Sequence, residues 1–257
     1  MRYFLELRYL GAAYCGWQRQ PDQPSVQQTL ERALTTLLRE PIEVTGAGRT
    51  DTGVNASYYV AHFDCTMPVA DPVQIVYKLN FLLPGDISVW SLTPVADDAH
   101  ARFHAREREY RYYIEPHKNP FTRHLTWQYY VPLDLERMNR AAALLLEYED
   151  FTSFAKLNSN NRTNICHVRH AAWTVDERGV LCFTIRADRF LRNMVRSIVG
   201  TLVDVGRGRY TPDDFRSIVE SRDLSRSSAG APAQGLFLSD VRYPAEIFSG
   251  SDLRSRF

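Results

Sequence analysis

The residues best suited to chemistry lie in a short glycine-rich segment, residues 46–54, which reads Gly-Ala-Gly-Arg-Thr-Asp-Thr-Gly-Val. Arg49 and Asp51 stand two positions apart between glycines, so a rigid loop would display a cation and a carboxylate together. Arg49 would suit contact with a phosphate or a base, and Asp51 would suit reaction as a nucleophile. The alternative is a tight turn in which Asp51 hydrogen-bonds its own backbone.

The surroundings of this segment narrow its chemistry. Glycine-rich loops that cradle phosphates open onto the N-terminus of a helix. Here a predicted strand precedes the loop and a further strand follows it, so a nucleotide-binding loop of that kind is rejected. The three glycines, Gly46, Gly48 and Gly53, predict special backbone angles or the close approach of another group.

A reacting carboxylate in a partly dry pocket needs a cationic or hydrogen-bonding partner to stay ionised. A long helix predicted over residues 190–205 offers Arg192 and Arg196. Arg196 follows a run of apolar residues, and a buried arginine in such a stripe is rarely left unpaired. Arg196 is therefore expected to pair with Asp51. The alternative is that its side chain extends to solvent.

A third segment interleaves arginine with aromatic residues. It begins near Arg102, and its strand-like alternation places Tyr110 and Tyr112 on one face, with Arg111 and Tyr113 on the other. This pattern suits RNA, because guanidinium groups meet phosphates and aromatic rings stack on exposed bases. The alternative is an amphipathic strand with its tyrosines in the core, and it is preferred for Tyr112 and Tyr113.

Composition sets the protein class. The chain has 257 residues, of which 44% are hydrophobic and 24% charged, and these are ordinary values for a globular protein. No apolar run approaches the roughly 20 residues that span a bilayer. Glu6 and Arg8 interrupt the N-terminus where a secretory signal would be apolar. We therefore expect a soluble, cytoplasmic protein without a membrane segment.

Charge and cysteine content exclude further classes. The net charge of +1 gives no overall basic signature for nucleic acid, although all but three of the 31 Lys and Arg residues are arginine. Arginine favours phosphate contacts and base stacking, but codon bias in a GC-rich genome explains the same excess. Four scattered cysteines without a Cys-x-x-Cys pair argue against a zinc ribbon or a disulfide framework.

The pattern of elements predicts an α+β fold of two related α/β halves, RRM- or ferredoxin-like. Helices are expected to begin after the capping residues Ser25, Asp71, Asp134 and Thr211. The predicted domains are an N-terminal half over residues 1–105, a C-terminal half over residues 106–245 and a tail over residues 246–257. The small, polar stretch 225–235 is expected to be a mobile loop. Strands are predicted at residues 3–9, 42–44, 58–65, 87–92, 107–115, 165–175 and 180–187, with a closing strand from Gly235.

The segment 48–54 resembles the signature of the TruA family of tRNA pseudouridine synthases, usually written G-R-T-D-A-G-V-H. Further stretches match the family in order and together span roughly residues 3–243, which makes the set specific. These stretches are Tyr14–Gln20, Leu83–Ile87, Ala101–Phe103 with Tyr110–Tyr112, Asp150–Phe154, Phe190–Arg196 and Gly235–Leu236.

The resemblance implies roles for individual residues. Asp51 matches the catalytic aspartate, and Arg196 matches the arginine that pairs with it. Tyr110 matches the tyrosine that stacks against the target uracil and is a candidate to take the C5 proton. Arg49 matches the arginine that fills the gap left by the displaced nucleotide. Arg102, within the matching stretches, is expected to bind substrate, as is Arg192.

The resemblance also implies an architecture and partners. The two halves would share one largely antiparallel central sheet with a catalytic cleft. The protein would act as a homodimer on the anticodon stem-loop of tRNA, without metal or organic cofactor. Four positions depart from the family, which usually has Ala, His and a small-residue/Gln pair there. These positions are Thr52, Asn55, Tyr58 and Tyr59. The departures are expected to change substrate choice and rate rather than reaction type.

The reaction breaks the N1–C1′ bond, turns the uracil and joins C5 to C1′, so the nucleotide should be flipped into the cleft. Attack by Asp51 at C1′, attack at C6 and removal of a sugar proton all remain open. Two rival functions are also open. One is a tRNA-binding or tRNA-folding protein that has lost catalysis, and the other is a hydrolase that pairs Asp51 with a second carboxylate.

Overall fold

The computed structural model describes residues 1–156 and 162–248. The chain divides into two compact units, one of Met1–Arg106 with the chain from Leu238 onward, and one of Glu107–Phe237. The sequence placed residues 106–245 together, whereas residues 238–245 group with the first unit. The strands are β1 Arg2–Tyr9, β2 Val44–Gly46, β3 Asn55–Asp64, β4 Ile87–Val95, β5 Glu107–Glu115, β6 Trp127–Gln128, β7 Val168–Val175, β8 Leu181–Ala187 and β9 Leu236–Arg242. The helices are α1 Val26–Leu38, α2 Pro72–Leu82, α3 Leu135–Leu144, α4 Met194–Gly206 and α5 Pro212–Ser221.

In the first unit, β1 lies between β4 and β3 and runs antiparallel to both, and β2 pairs with β3. The sequence predicted that β1 is half-buried, and that prediction was wrong, because only Arg8 of its last seven residues is exposed. Phe4 is fully buried in a cluster with Val60 and Ile247. Glu6 is buried as well, and a hydrogen bond from the Tyr58 hydroxyl offsets part of the cost of burying its carboxylate.

In the second unit, β8 lies between β5 and β7 and runs antiparallel to both, while β6 pairs parallel with β5. Tyr112 on β5 and Phe183 on β8 face each other and are both fully buried. Trp173 on β7 packs against Phe183 with the ring centroids 5.0 Å apart. The helices α3, α4 and α5 pack against one another in the same unit.

Four helices begin at the capping residues that the sequence predicted. The side chains of Ser25, Asp71, Asp134 and Thr211 each accept a hydrogen bond from the backbone amide three residues later. Such caps satisfy amides that have no partner within the helix, and each typically stabilises the protein by about 1 kcal/mol. These local signals position α1, α2, α3 and α5.

The helix α4 differs from its prediction. It begins at Met194 rather than near residue 190, because Asn193 takes a left-handed conformation with φ of 64°. Arg192 therefore lies in the turn before the helix and not on it. Twelve of the thirteen residues of α4 are buried. A helix buried in this way in its own chain presents no face to a second copy.

The chain is a mixed α/β protein whose strands pair mostly antiparallel, as predicted. The RRM- or ferredoxin-like relation of the two halves and the catalytic cleft remain predictions. Within the described ranges, no helix combines the length and the apolar character needed to cross a bilayer.

Candidate active site

The glycine-rich segment joins two antiparallel neighbours, β2 and β3, with no helix after it, as the sequence predicted. Its backbone turns back at Asp51, whose carbonyl oxygen accepts a hydrogen bond from the amide of Val54 at 3.1 Å. Gly53 completes this turn with φ of 76°. Asp51 is half-buried, whereas Thr52 at the tip is exposed. The turn therefore presents the carboxylate of Asp51 from a defined backbone position.

Hydrogen bonds fix the loop on both sides of Asp51. The hydroxyl groups of Tyr9 and Thr50 lie 2.9 Å apart, and the amide of Trp17 donates to the Thr50 carbonyl at 3.3 Å. On the other side, the amide of Gly53 donates to the carbonyl of Tyr14 at 3.3 Å. A reactive group held by such supports needs little reorganisation before reaction.

Two of the three loop glycines have a structural reason. Gly53 has the positive φ that side chains rarely adopt. A Cβ on Gly46 would lie 2.1 Å from the Tyr59 hydroxyl and 2.5 Å from the ring of Trp17. Those two rings stack with their centroids 4.2 Å apart. Within the protein itself Gly48 has neither reason, because a Cβ there would meet open space and its φ is not positive. The close approach of a bound group to Gly48 stays a prediction.

The residues that depart from the family support the scaffold. The Asn55 side chain accepts a hydrogen bond from the amide of Gly11 at 2.8 Å, and the Tyr59 hydroxyl donates to the carbonyl of Gly48. The Tyr58 hydroxyl donates to Glu6 at 2.5 Å, and burial together with this carboxylate raises the pKa of Tyr58. The sequence predicted that these positions change substrate choice and rate. The structure gives three of them contacts within the fold.

Another matching stretch supports the loop from further away. The Tyr14 hydroxyl donates to the Asp86 carboxylate at 2.7 Å, and the amide of Leu10 donates to the Asp86 carbonyl at 2.9 Å. Burial and this bond raise the pKa of Tyr14. Sequence reasoning did not find this support, although Tyr14 and Asp86 both lie in stretches that match the family. A turn residue such as Asp86 gives no local signal of a partner 72 positions away.

Arg49 and Arg102, far apart in sequence, line the same small pocket of about 100 Å³ beside the loop. Trp17, Gln18 and Gly46 also line it. Both arginines are exposed. A pocket with two guanidinium groups on its wall suits a phosphate or the edge of a base, because each guanidinium presents several donors in a planar fork.

Tyr110 belongs to the second unit, on β5 opposite Ile185. Its side chain is half-buried, and the ring of Phe190 meets it edge-on with the centroids 5.1 Å apart. Tyr112, two positions along, is fully buried and donates to the carbonyl of Pro232 at 2.8 Å. The core assignment of Tyr112 is therefore confirmed, while Tyr110 keeps part of its ring accessible.

Arg196 is also in the second unit and is partly buried on α4. Its Nε donates to the carbonyl of Ala231 at 2.6 Å, and the amide of Ala231 donates to the Arg196 carbonyl at 2.9 Å. Burial raises the pKa of Tyr112, and the positive charge of Arg196 opposes that rise. Arg192 is exposed in the turn before the helix. The pairing of Arg196 with Asp51 remains a prediction.

The stretch expected to be a mobile loop is held against α4. Besides the two bonds between Arg196 and Ala231, the amide of Ser228 donates to the Thr201 hydroxyl at 3.1 Å, and the Ser228 hydroxyl donates to Asp204 at 2.6 Å. We call residues 228–232 the strap. Small residues in the strap permit this close approach to α4 rather than signalling a free loop.

Metal and thiol chemistry have few candidates. No three His, Cys, Asp or Glu side chains in residues 1–156 and 162–248 are grouped so that they could hold a metal ion. All four cysteines are free thiols. Burial raises the pKa of Cys166 to about 12, so this thiol is not a nucleophile near neutral pH.

Comparison with known proteins agrees with these features. Residues 7–104 and 141–244 match the family model described as tRNA pseudouridine synthase. A protein of Bacteroides thetaiotaomicron named tRNA pseudouridine synthase A is 53% identical over 256 residues, which cover 99% of this chain and 95% of that protein. A protein of the same name from Parabacteroides distasonis is 50% identical over 98% of this chain and 99% of its own length. One from Burkholderia multivorans is 41% identical over 96% and 92%.

Proposed function

The chain belongs to the tRNA pseudouridine synthase family, and from that premise we propose that it isomerises uridine to pseudouridine in the anticodon stem-loop of tRNA with Asp51 as catalytic carboxylate. Because transfer RNA is a cytoplasmic substrate, we also propose that the protein acts in the cytoplasm. The observation that carries the role of Asp51 is the loop itself, in which hydrogen bonds to Thr50 and Gly53 fix the backbone on both sides of the carboxylate.

The reaction rearranges one nucleotide without net addition or loss. The N1–C1′ bond breaks, the uracil turns, C5 bonds to C1′, a proton leaves C5 and a proton is gained at N1. Asp51 assists by attack at C1′, by attack at C6 or by removal of a sugar proton. Each route needs the nucleotide outside its helix, because the reacting atoms are out of reach in a paired, stacked base.

The other predicted site residues hold the RNA and the detached base. Tyr110 stacks on the uracil so that the base recaptures C1′, and Phe190 holds the Tyr110 ring from its edge. Arg196 pairs with Asp51 and keeps it ionised. Arg49 fills the gap that the flipped nucleotide leaves, and Arg102 and Arg192 bind phosphates.

Two rival functions make different predictions. A hydrolase would need a second carboxylate beside Asp51. In the first unit Asp86 accepts the Tyr14 hydroxyl, and Glu31 accepts from Gln27, Arg19 and the amide of Val44, so both acids have structural roles. A tRNA-binding protein without catalysis would not need a carboxylate fixed in a supported turn.

The experiment that separates these functions is nucleoside analysis of tRNA after incubation with the protein. The proposal predicts pseudouridine in the anticodon stem-loop and no free uracil. Free uracil with abasic tRNA would establish the hydrolase, and bound but unchanged tRNA would establish the binding protein.

The family resemblance also implies a homodimer, and we propose that α2 contributes to it. Val73, Tyr77 and Phe81 lie at four-residue spacing on α2, which places them on one helix face, and each is at least 60% exposed. Such an apolar stripe suits burial against a second copy. Phe81→Glu should convert a dimer to a monomer in light scattering, whereas Phe121→Glu, at an exposed site in the other unit, should not. An unchanged mass for Phe81→Glu would remove α2 from the interface.

A further inference from the structure

The second unit contains a cavity of about 270 Å³ at the C-terminal end of α4, about two helical turns beyond Arg196. Trp127 and Tyr129 form one side of it. Asp204, Arg207 and Arg209 form another side, and the strap closes a third. The proposed reaction uses none of these side chains.

The aromatic side offers a surface for a flat ring. Trp127 and Tyr129 meet edge-on with their centroids 4.9 Å apart, and both side chains are partly exposed. The amide of Tyr129 donates to the carbonyl of Glu115 at 3.0 Å, which ties this segment to β5. Stacking of a base on such a side chain is typically worth about 1–3 kcal/mol and depends little on the identity of the base.

The charged side offers two positioned guanidinium groups. Asp204 is buried, and its carboxylate lies 3.3 Å from Arg207 Nε and 3.2 Å from Arg209 Nη1. The Ser228 hydroxyl donates to the same carboxylate at 2.6 Å. Two arginines share one carboxylate, so a positive charge remains. Their side chains are 44% and 57% exposed, which leaves donors available to an anion.

A structural role explains only part of this arrangement. Arg207 ends α4 and complements the negative end of the helix dipole, which accounts for one arginine. Arg209 pairs with the buried Asp204 and lies 5.3 Å from the centroid of the Tyr210 ring. These contacts do not account for the cavity with aromatic walls. The volume lies just below the range of about 300–1,000 Å³ typical of small-molecule pockets. It is therefore of a size for a single nucleotide and not for a duplex.

We propose that this cavity binds one nucleotide, with its base against Trp127 and Tyr129 and its phosphate on Arg207 and Arg209. The nucleotide comes either from RNA, as a second contact with tRNA away from the target uridine, or from free nucleoside monophosphate. The RNA source rests on the proposed function, whereas the free nucleotide source does not.

The test begins with titrations of the full chain with UMP, with uridine and with inorganic phosphate. Tryptophan fluorescence reports binding in each titration. UMP should quench the fluorescence saturably, and Trp127→Phe should remove most of that change. Arg207→Gln combined with Arg209→Gln should weaken UMP at least about tenfold. Arg178→Gln, an exposed arginine of the same unit whose partner is Asp176, is the matched control and should bind UMP as the wild type does.

The second arm measures tRNA binding by the same variants over a range of salt concentrations. If RNA supplies the nucleotide, the double variant should bind tRNA more weakly and lose about one unit of salt slope, unlike Arg178→Gln. If only UMP binding weakens, the source is free nucleotide. The thermal unfolding curve of each variant shows whether it is folded, and Arg209→Lys alone should weaken UMP less than the double variant because it keeps the charge.

The proposal is overturned if the folded double variant binds both UMP and tRNA as the wild type does. Failure of the proposed function would look different. The wild type would then form no pseudouridine. The UMP titration does not depend on turnover, so it would still show whether the cavity binds a nucleotide.

Discussion

The hydroxyl groups of Tyr9 and Thr50 lie 2.9 Å apart, at the position immediately before Asp51. Tyr9 ends β1, and Thr50 stands in the loop between β2 and β3. This hydrogen bond therefore ties the loop to the end of a buried strand. The amide of Trp17 holds the carbonyl of the same residue, so the peptide leading into Asp51 is fixed at both its side chain and its backbone.

Removal of this hydrogen bond should affect catalysis more than binding. Tyr9→Phe removes one hydroxyl and keeps the ring, with an expected cost of about 1 kcal/mol in unfolding free energy. The rate constant kcat should fall at least about tenfold, because Asp51 would be held less firmly in its reactive position. KM should change little, because the substitution removes no contact with the RNA. Tyr148→Phe, in the second unit, also removes a hydroxyl, which donates to Glu220 and accepts from Arg216, and should leave kcat unchanged.

Gly53→Ala should strain the turn that follows Asp51. An alanine at φ of 76° costs about 1–2 kcal/mol. Gly179 in the β7–β8 turn has nearly the same φ of 81°, and a Cβ there would make only an ordinary contact with Pro116 Cγ at 4.0 Å, so Gly179→Ala should cost a similar amount in chemical denaturation. Only Gly53→Ala should lower kcat. Equal losses of kcat in the two variants would mean that instability, and not the turn, limits activity.

The edge contact between Phe190 and Tyr110 gives a third prediction. Phe190→Leu removes the ring that holds Tyr110, so pseudouridine formation at saturating tRNA should slow several-fold. Phe237→Leu is the counterpart on the other face of β5, because Phe237 meets Tyr113 edge-on at 5.5 Å. That variant should turn over at the wild-type rate. The reverse pattern would place the functional face of β5 on the side of Tyr113.

The buried His62 should make the stability of the first unit sensitive to acid. Burial, aided by the positive charge of Arg2, lowers the pKa of His62 to about 4, and its Nδ1 accepts a hydrogen bond from the amide of Ala101 at 3.1 Å. The folded state therefore favours the neutral ring, while the unfolded chain takes up a proton near pH 6.5. Stability from this group is complete above pH 6.5 and is lost as the pH falls toward 4.

The measurement is the free energy of unfolding at several pH values in that window. One extra proton bound on unfolding gives a slope of up to about 1.4 kcal/mol per pH unit. His62→Asn should reduce the slope relative to the wild type, whereas His117→Asn, at an exposed site in the other unit, should keep it. A wild-type slope retained in His62→Asn would show that other groups titrate instead.

Much of the fold follows from local signals. The caps at Ser25, Asp71, Asp134 and Thr211 involve residues only three positions apart, so the sequence displays both partners. The start of α4 was missed because the left-handed conformation of Asn193 ends the helical backbone there, while the helical spacing of apolar residues in the sequence continues across that position. Burial of both faces of β1 was missed because the cover over Phe4 comes from distant residues such as Ile247.

In the candidate site, too, features formed by neighbouring residues could be predicted, and contacts between distant residues could not. The sequence could predict the loop between two strands, because Arg49, Asp51 and the glycines are adjacent in the chain. The roles of Arg49 and Asp51 in the reaction stay predictions. It could not predict the supports, because Tyr9, Tyr14 and Asp86 meet the loop or one another across tens of positions. Without those partners, Tyr59 and Asn55 were interpreted only as changes that affect substrate choice and rate, whereas their side chains hydrogen-bond the backbone of Gly48 and Gly11.

The most direct test of the central claim uses tRNA carrying tritium at C5 of uridine. Wild type, Asp51→Asn and the exposed control Asp97→Asn are compared under single turnover, with tRNA binding measured in parallel. We predict tritium release by wild type and Asp97→Asn, and none by Asp51→Asn although it still binds tRNA. Release by Asp51→Asn at the wild-type rate would contradict the assignment of Asp51 as the catalytic carboxylate.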